Sequence, residues 1–141
     1  MSTLLPENTL CPCGSNDSFN QCCEPILDGV RKASSAEALM RSRYTAFAVG
    51  NVDYLIKTTA KEKRAKDDRK VLNQQVKSTT WLGLIIEATS AGSPLDQTGT
   101  VTFRAYFQSG PEKGVLHECS RFRKDPEGWV YVDGEVQFMS A

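Results

Sequence analysis

The sequence predicts an α+β domain with a small cysteine-rich head, helices next, and an antiparallel sheet last. Three observations lead there. Four of the five cysteines crowd into residues 11–23. Between Ser34 and Lys77 apolar residues recur at helical spacing. From Thr79 onward the period is two, in four runs rich in β-branched and aromatic residues and separated by turn chemistry. Helices first, strands after and one apolar sheet face describe helices packed on one side of an antiparallel sheet.

Each element has its own signal. Residues 1–28 hold few sizeable apolar groups, Leu10, Phe19, Ile26 and Leu27 among them. Such a segment needs a staple to fold. The connector DGVRKASSAEALM ends in a helix start, with Ser34 as the cap and Glu37 completing a capping box. The helix AEALMRSRYTAFAVG puts Met40, Tyr44 and Phe47 on one stripe and stops at Gly50. Asn51 caps a short second helix, NVDYLIKTT, anchored by Tyr54 and Leu55. Residues 60–77 read as a third helix, charged in its first half, with a thin face of Ala65, Asp68, Leu72 and Val76. The strands TTWLGLIIEATS, TGTVTFRAYFQS, GVLHECSRFRK and GWVYVDGEVQFM follow, joined by SAGSPLDQ, GPEK and DPE. Connections that short imply a meander. In the second strand Val101, Phe103, Ala105 and Phe107 share the inner face, opposite Thr102, Arg104 and Tyr106.

Composition narrows the function. At 141 residues, 40% hydrophobic and 24% charged, the chain has the make-up of an ordinary globular domain. Seventeen acidic side chains offset seventeen basic ones, so duplex nucleic acid is not an expected ligand. The apolar run near Leu82–Ile86 is far too short to cross a bilayer, so no membrane partner is expected. The start MSTLLPENTL lacks the basic and apolar regions of a secretion signal, which makes the cytoplasm the expected location. In a reducing compartment clustered cysteines signal metal or catalysis more than disulfides.

The cysteines are spaced Cys11-Pro12-Cys13, eight residues, then Cys22-Cys23. Four soft ligands in a short polar loop suit tetrahedral zinc, and Gly14 to Asp17 supply the turn that brings the pairs together. Two loop disulfides, or a redox pair, are the competing readings. The first needs an oxidising compartment, and the second typically uses Cys-x-x-Cys at a helix start. Adjacent Cys22 and Cys23 weigh against chelation, because neighbouring side chains tend to diverge.

Strand parity raises a second site. Glu118 and Ser120 point inward with Leu116 and Phe122, while His117, Cys119 and Arg121 face the other way. Arg43 lies beside Tyr44 on the flank of the helical stripe. Two inward charges must find partners. The reading is an Arg43–Glu118 ion pair with Tyr44 and Ser120 nearby, either docking helix on sheet or lining a ligand pocket. Catalysis is not expected: there is no phosphate loop, serine elbow or paired carboxylate motif, and the only histidine, His117, does not share the face of Glu118.

The pattern Cys11-Pro12-Cys13-Gly14-Ser15 to Cys22-Cys23 resembles the SEC-C motif, a zinc-binding module found at the C-terminus of the SecA translocation motor. Met40 to Tyr44, Ala46-Phe47, Asp53-Tyr54-Leu55, Trp81 to Leu84, Glu118, Ser120-Arg121-Phe122, Trp129 to Tyr131 and Asp133-Gly134 resemble the YchJ family. The likeness spans nearly the whole chain. It implies a SEC-C module over residues 1–28 and an NTF2-like cone over 29–141, with one structural Zn2+, or else iron, on Cys11, Cys13, Cys22 and Cys23. Many relatives carry a second SEC-C copy, and none occurs within these 141 residues. The implied function is an adaptor whose module docks a protein, ribosomal or translocation-related partner. The alternative is a small-molecule-binding protein or enzyme that uses the cone near Glu118. NTF2-like sheets also dimerise through the face away from the helices, which here would present Thr102, Arg104, Tyr106 and Cys119.

Overall fold

A computed structural model describes residues 9–140. The first eight residues of the expected cysteine module and Ala141 lie outside that range. Strands β1 (Thr80–Ala91), β2 (Thr98–Ser109), β3 (Glu112–Asp125) and β4 (Gly128–Ser140) form one antiparallel sheet in the order β1-β2-β3-β4. It is the meander that the short turns imply. The inner face of β2 carries Val101, Phe103 and Ala105, all buried, as parity requires. Two irregularities reshape the inner face. A register shift between Trp81 and Gly83 lets Trp81 and Leu84 both meet the core although two residues lie between them. Another follows Tyr131, which pairs with Phe122 while Asp133 pairs with Arg121.

Four helices precede the sheet: α1 (Glu24–Leu27), α2 (Ala36–Val49), α3 (Val52–Lys57) and α4 (Asp68–Ser78). Ser35, and not Ser34, caps α2, its hydroxyl accepting the Ala38 N–H at 3.0 Å. The Ala36 N–H donates to Gly92 O at 3.0 Å, which ties the helix entry to the end of β1. Glu37 consequently forms no box with Ser34 and pairs with Arg41 one turn on. The helix ends at Gly50, whose φ of +83° is the left-handed conformation that a side chain would resist. Asn51 then caps α3 by accepting the Tyr54 N–H at 3.1 Å.

The predicted helix over 60–77 is shorter than expected. Lys61–Lys63 make a single 3-10 turn and α4 starts only at Asp68. Local hydrogen bonds hold the earlier stretch out of a helix. Arg64 donates to Thr59 O and Lys57 O, and the Ala65 N–H donates to the Asp68 carboxylate. The Ala60 N–H meets Tyr131 O at 2.8 Å, and Arg123 of β3 holds Glu62 at 2.6 Å. The charged run is thus strapped to the sheet.

Head and sheet share one hydrophobic core. Cys11, Cys13, Phe19, Cys23 and Leu27 belong to the same buried cluster as Leu39, Tyr44, Leu55, Val101, Phe103 and Phe122. Removing the Ser35 hydroxyl should lower stability by about 1 kcal/mol, whereas Ser34→Ala should change it by less than about 0.5 kcal/mol. Chemical denaturation of the two variants measures both, and equal effects would contradict the assigned cap.

Candidate functional site

The cysteine centre is assembled by backbone turns. Cys11 N–H donates to Asp17 O at 2.8 Å and Gly14 N–H to Cys11 O at 3.2 Å, so the chain closes on itself between the two cysteine pairs. Gly14 has φ +80°, and a Cβ there would stand 3.2 Å from Leu84 O of β1. The left-handed backbone and the tight approach to the sheet both favour glycine at this position. A 3-10 turn over Phe19–Gln21 then delivers Cys22, whose φ of −113° and ψ of −96° fit neither helix nor strand. That irregular backbone brings the neighbouring Cys22 and Cys23 sulfurs to 3.9 Å, against the divergence expected of adjacent residues.

All four sulfurs lie within 4.8 Å of one another, with Cys13 and Cys22 3.6 Å apart. A tetrahedron with metal–sulfur bonds of about 2.3 Å has edges of about 3.8 Å, so the set fits a four-coordinate metal. All five cysteines are free thiols. Further groups hold the sulfurs in place. Thr45 of α2 donates to Cys23 Sγ at 3.3 Å, and Ser15 Oγ lies 3.2 Å from Cys22 Sγ. Arg41 of α2 donates to Cys13 O at 2.7 Å, and Arg31 to Cys22 O at 2.9 Å.

Without a cation the thiols compete for protons. Hydrogen bonds from Cys11 and then Cys23 pull Cys13 far below the ordinary thiol range. The same sharing, with Cys11 and then Cys13, pushes Cys23 far up, and burial raises Cys22 to about 11. One thiolate is favoured at its neighbours' expense; four together need a positive charge among them.

The second feature is a cavity of about 310 Å³ between α2 and the concave sheet face. Tyr44, Phe47, Trp81 and Phe107 form an aromatic wall, with Tyr44–Trp81 and Trp81–Phe107 centroids 5.9 and 5.7 Å apart. Arg43, Gln75, Thr79, Glu118, Ser120 and Tyr131 supply its polar part. Ser120 Oγ and Tyr131 Oη both donate to Glu118 Oε2 at 2.8 Å. Arg43, Tyr44, Glu118 and Ser120 all line this one cavity.

The predicted direct Arg43–Glu118 ion pair is not formed. Arg43 Nη1 donates to Leu55 O at 2.9 Å and to the Thr58 and Thr59 hydroxyls at 2.8 and 3.4 Å. These acceptors cluster at the C-terminal end of α3, where a cation is favoured. They offer more hydrogen bonds than one carboxylate. Tyr131 spans the gap, with its ring 4.9 Å from Arg43 Cζ and its hydroxyl on Glu118. Burial lowers Arg43 to about 10, which still leaves it charged at neutral pH.

Tyr131 is the residue that inward parity alone did not identify. Gly134, by contrast, signals where the Glu118 head lies, since glycine inside a strand marks a close approach. A Cβ at Gly134 would sit 2.2 Å from Glu118 Oε2. On the far face His117 Nε2 lies 2.9 Å from Glu87 Oε1, beside Arg104. Parity places it there.

The fold and the two features define an NTF2-like cone protein with a four-cysteine SEC-C head. Residues 35–134 match the model of the YchJ middle NTF2-like domain, and residues 8–25 match the SEC-C motif. The UPF0225 protein of Geobacter sulfurreducens is 42% identical over 89% of this chain and 78% of its own length. That of Streptomyces coelicolor is 44% identical over 89% and 94%. The solution structure of a SEC-C motif containing protein from Rhodopseudomonas palustris superposes with a TM-score of 0.81 at 38% identity, covering 89% of this chain and 96% of that one. A crystal structure of a SEC-C motif containing protein from Psychrobacter arcticus gives 0.76 at 28%, covering 98% and 88%. The chain belongs to the YchJ family, and these UPF0225 proteins are its relatives.

Two predictions follow from the site. Gly134→Ala must displace the Glu118 head and should cost about 1–3 kcal/mol by denaturation; no loss would contradict the described packing. Burial raises Tyr44 and Tyr54 to about 12, and burial followed by Glu118 raises Tyr131 further. The folded state therefore holds these protons more tightly than the unfolded chain. Their stabilisation is complete below about pH 10 and is lost as pH rises toward 12 and beyond. An absorbance titration at alkaline pH should show these three tyrosines ionising late, together with unfolding.

Proposed function

We propose that this chain is a zinc-stapled binding protein whose working part is the cone cavity. Four thiolates leave a tetrahedral ion no open position, which is the design of a structural centre and not of a catalytic one. Cys11, Cys13, Cys22 and Cys23 would hold the ion, and its charge would stabilise the four thiolates together. Iron fits the same sulfur set, and zinc is the assignment because four cysteines in a short loop are a usual structural zinc site. Reduced thiols at this centre suit the cytoplasm.

One observation carries the binding role. Glu118 is 8% exposed at an apolar cavity, a position at which a carboxylate is expensive unless it does something for a ligand or for docking. A cavity of this size among packed aromatic rings is more than docking needs. Ser120 and Tyr131 both bond the Glu118 carboxylate, but among the described residues no histidine, cysteine or second carboxylate lines the cavity beside them, so binding is favoured over catalysis.

A second reading is favoured by Leu10 and Val30, 62% and 80% exposed on the cysteine head and its exit. It gives the module a docking role toward a protein or ribosomal partner. Cosedimentation with ribosomes that is lost in a Leu10→Ser, Val30→Ser double variant would support it, and cosedimentation unchanged by these substitutions would remove it.

Purified protein should contain one zinc per chain by elemental analysis. Cys22→Ser should release the metal and lower Tm by about 10 °C or more, because the head's core residues lose their staple. A metal-free wild type of unchanged Tm would overturn the structural role. For the cavity, Ala105→Leu directs extra atoms into the space from β2. Fragments that raise Tm in wild type should fail to do so in this variant. Equal responses in both would exclude the cavity as their site.

A further inference from the structure

The hydrogen-bond inventory of the cavity narrows the ligand, given the cavity-binding role above. Ser120 and Tyr131 each have one hydroxyl proton, and both protons are committed to Glu118 Oε2. Glu118 Oε1 receives neither of them. What these three groups can still offer is acceptors only: Oε1 and the remaining lone pairs of Ser120 Oγ and Tyr131 Oη. Arg43, Gln75 and Thr79 also line the cavity and carry donors. Arg43 Nη1 is turned to Leu55, Thr58 and Thr59 at the end of α3, and the acceptors are concentrated at Glu118, Ser120 and Tyr131. The arrangement is built, not incidental, since Glu118 and Ser120 are 8% and 1% exposed and Gly134 leaves room for the carboxylate.

We infer that the cavity takes a small organic ammonium ion: a primary amine on an apolar, ring-sized body. Three N–H donors meet three acceptors, and the group's positive charge complements the Glu118 carboxylate. The body lies against Tyr44, Phe47, Trp81 and Phe107, whose ring faces attract cations as well as apolar surface. About 310 Å³ admits a body on the order of ten non-hydrogen atoms. A carboxylate head in the same place would set its lone pairs against those of Glu118. An alcohol of equal size would bring one donor in place of three and no charge.

The test uses three matched probes on the full-length, metal-loaded chain: 2-phenylethylamine, 2-phenylethanol and phenylacetate. Binding is read by NMR from the Trp81 indole N–H and the Glu118 and Ser120 amides. The amine should bind at least tenfold more tightly than the alcohol, and phenylacetate should leave these signals unmoved. Glu118→Gln should weaken the amine at least tenfold and the alcohol less than threefold. The wild-type ranking decides the matter alone if that variant does not fold. Affinities within threefold of one another, or phenylacetate tightest, would overturn the ammonium assignment while leaving the cavity as a binding site. No shift at cavity residues with any probe to 10 mM, with the Ala105→Leu fragment comparison also negative, would overturn both.

Discussion

Thr45 Oγ1 touches Cys23 Sγ at 3.3 Å, while the adjacent Tyr44 sets its ring against Trp81 at the cavity wall. These two neighbours show what α2 does. One side of the helix closes over the sulfur cluster through Arg41 and Thr45, and another forms the cavity through Met40, Arg43, Tyr44 and Phe47. Leu39, Ser42, Thr45 and Ala46 are fully or almost fully buried between them. The cysteine head, with its four clustered sulfurs, is therefore a second covering for the helix. If the four sulfurs separate, α2 loses an apolar covering that includes Phe19 and Leu27. The cavity wall then loses its backing.

The polar groups inside this enclosure are satisfied locally. Ser42 bonds Leu39 O and the Tyr54 hydroxyl at 2.9 and 2.6 Å, and Arg43 reaches three acceptors at the end of α3. Glu118 is held by two hydroxyls on its own and the neighbouring strand. Buried polar atoms that lose a partner are destabilising by more than the bond itself contributed. The network consequently fixes the register of α2, α3 and β4 around the cavity. Tyr131 links its positive and negative members without letting them touch.

Much of this was legible in the chain. Strand parity placed Phe103, Ala105, Glu118 and Ser120 on one face because one buried sheet face forces alternation. Gly50 and Asn51 announced the break between α2 and α3 because their conformations have few alternatives. The cysteine spacing pointed to a metal, and only the backbone of Cys22 explains how adjacent thiols converge. Other features were hidden for physical reasons. The 61–67 stretch has helix-forming composition, but tertiary partners such as Arg123 and Tyr131 determine its path, and they are more than fifty residues away in sequence. Ser34 and Ser35 are equivalent caps until Gly92 selects one by binding Ala36. Arg43 and Glu118 are both buried, as the helical stripe and the strand parity implied, yet the end of α3 competes for the guanidinium, and neither local pattern contains that competitor. Thr45 reads as an ordinary helix residue, and its burial follows only from the head folding back onto it.

The central claim is that the four-cysteine centre and the cone form one cooperative unit through α2. Native-state hydrogen exchange on metal-loaded and chelator-stripped protein tests it most directly. Removing the metal should abolish protection in the cysteine head and sharply reduce it along α2, at Leu39 to Phe47, with β2 and β3 falling less. Loss confined to the head, with α2 amides as protected as before, would show that the centre holds only itself and would contradict the account.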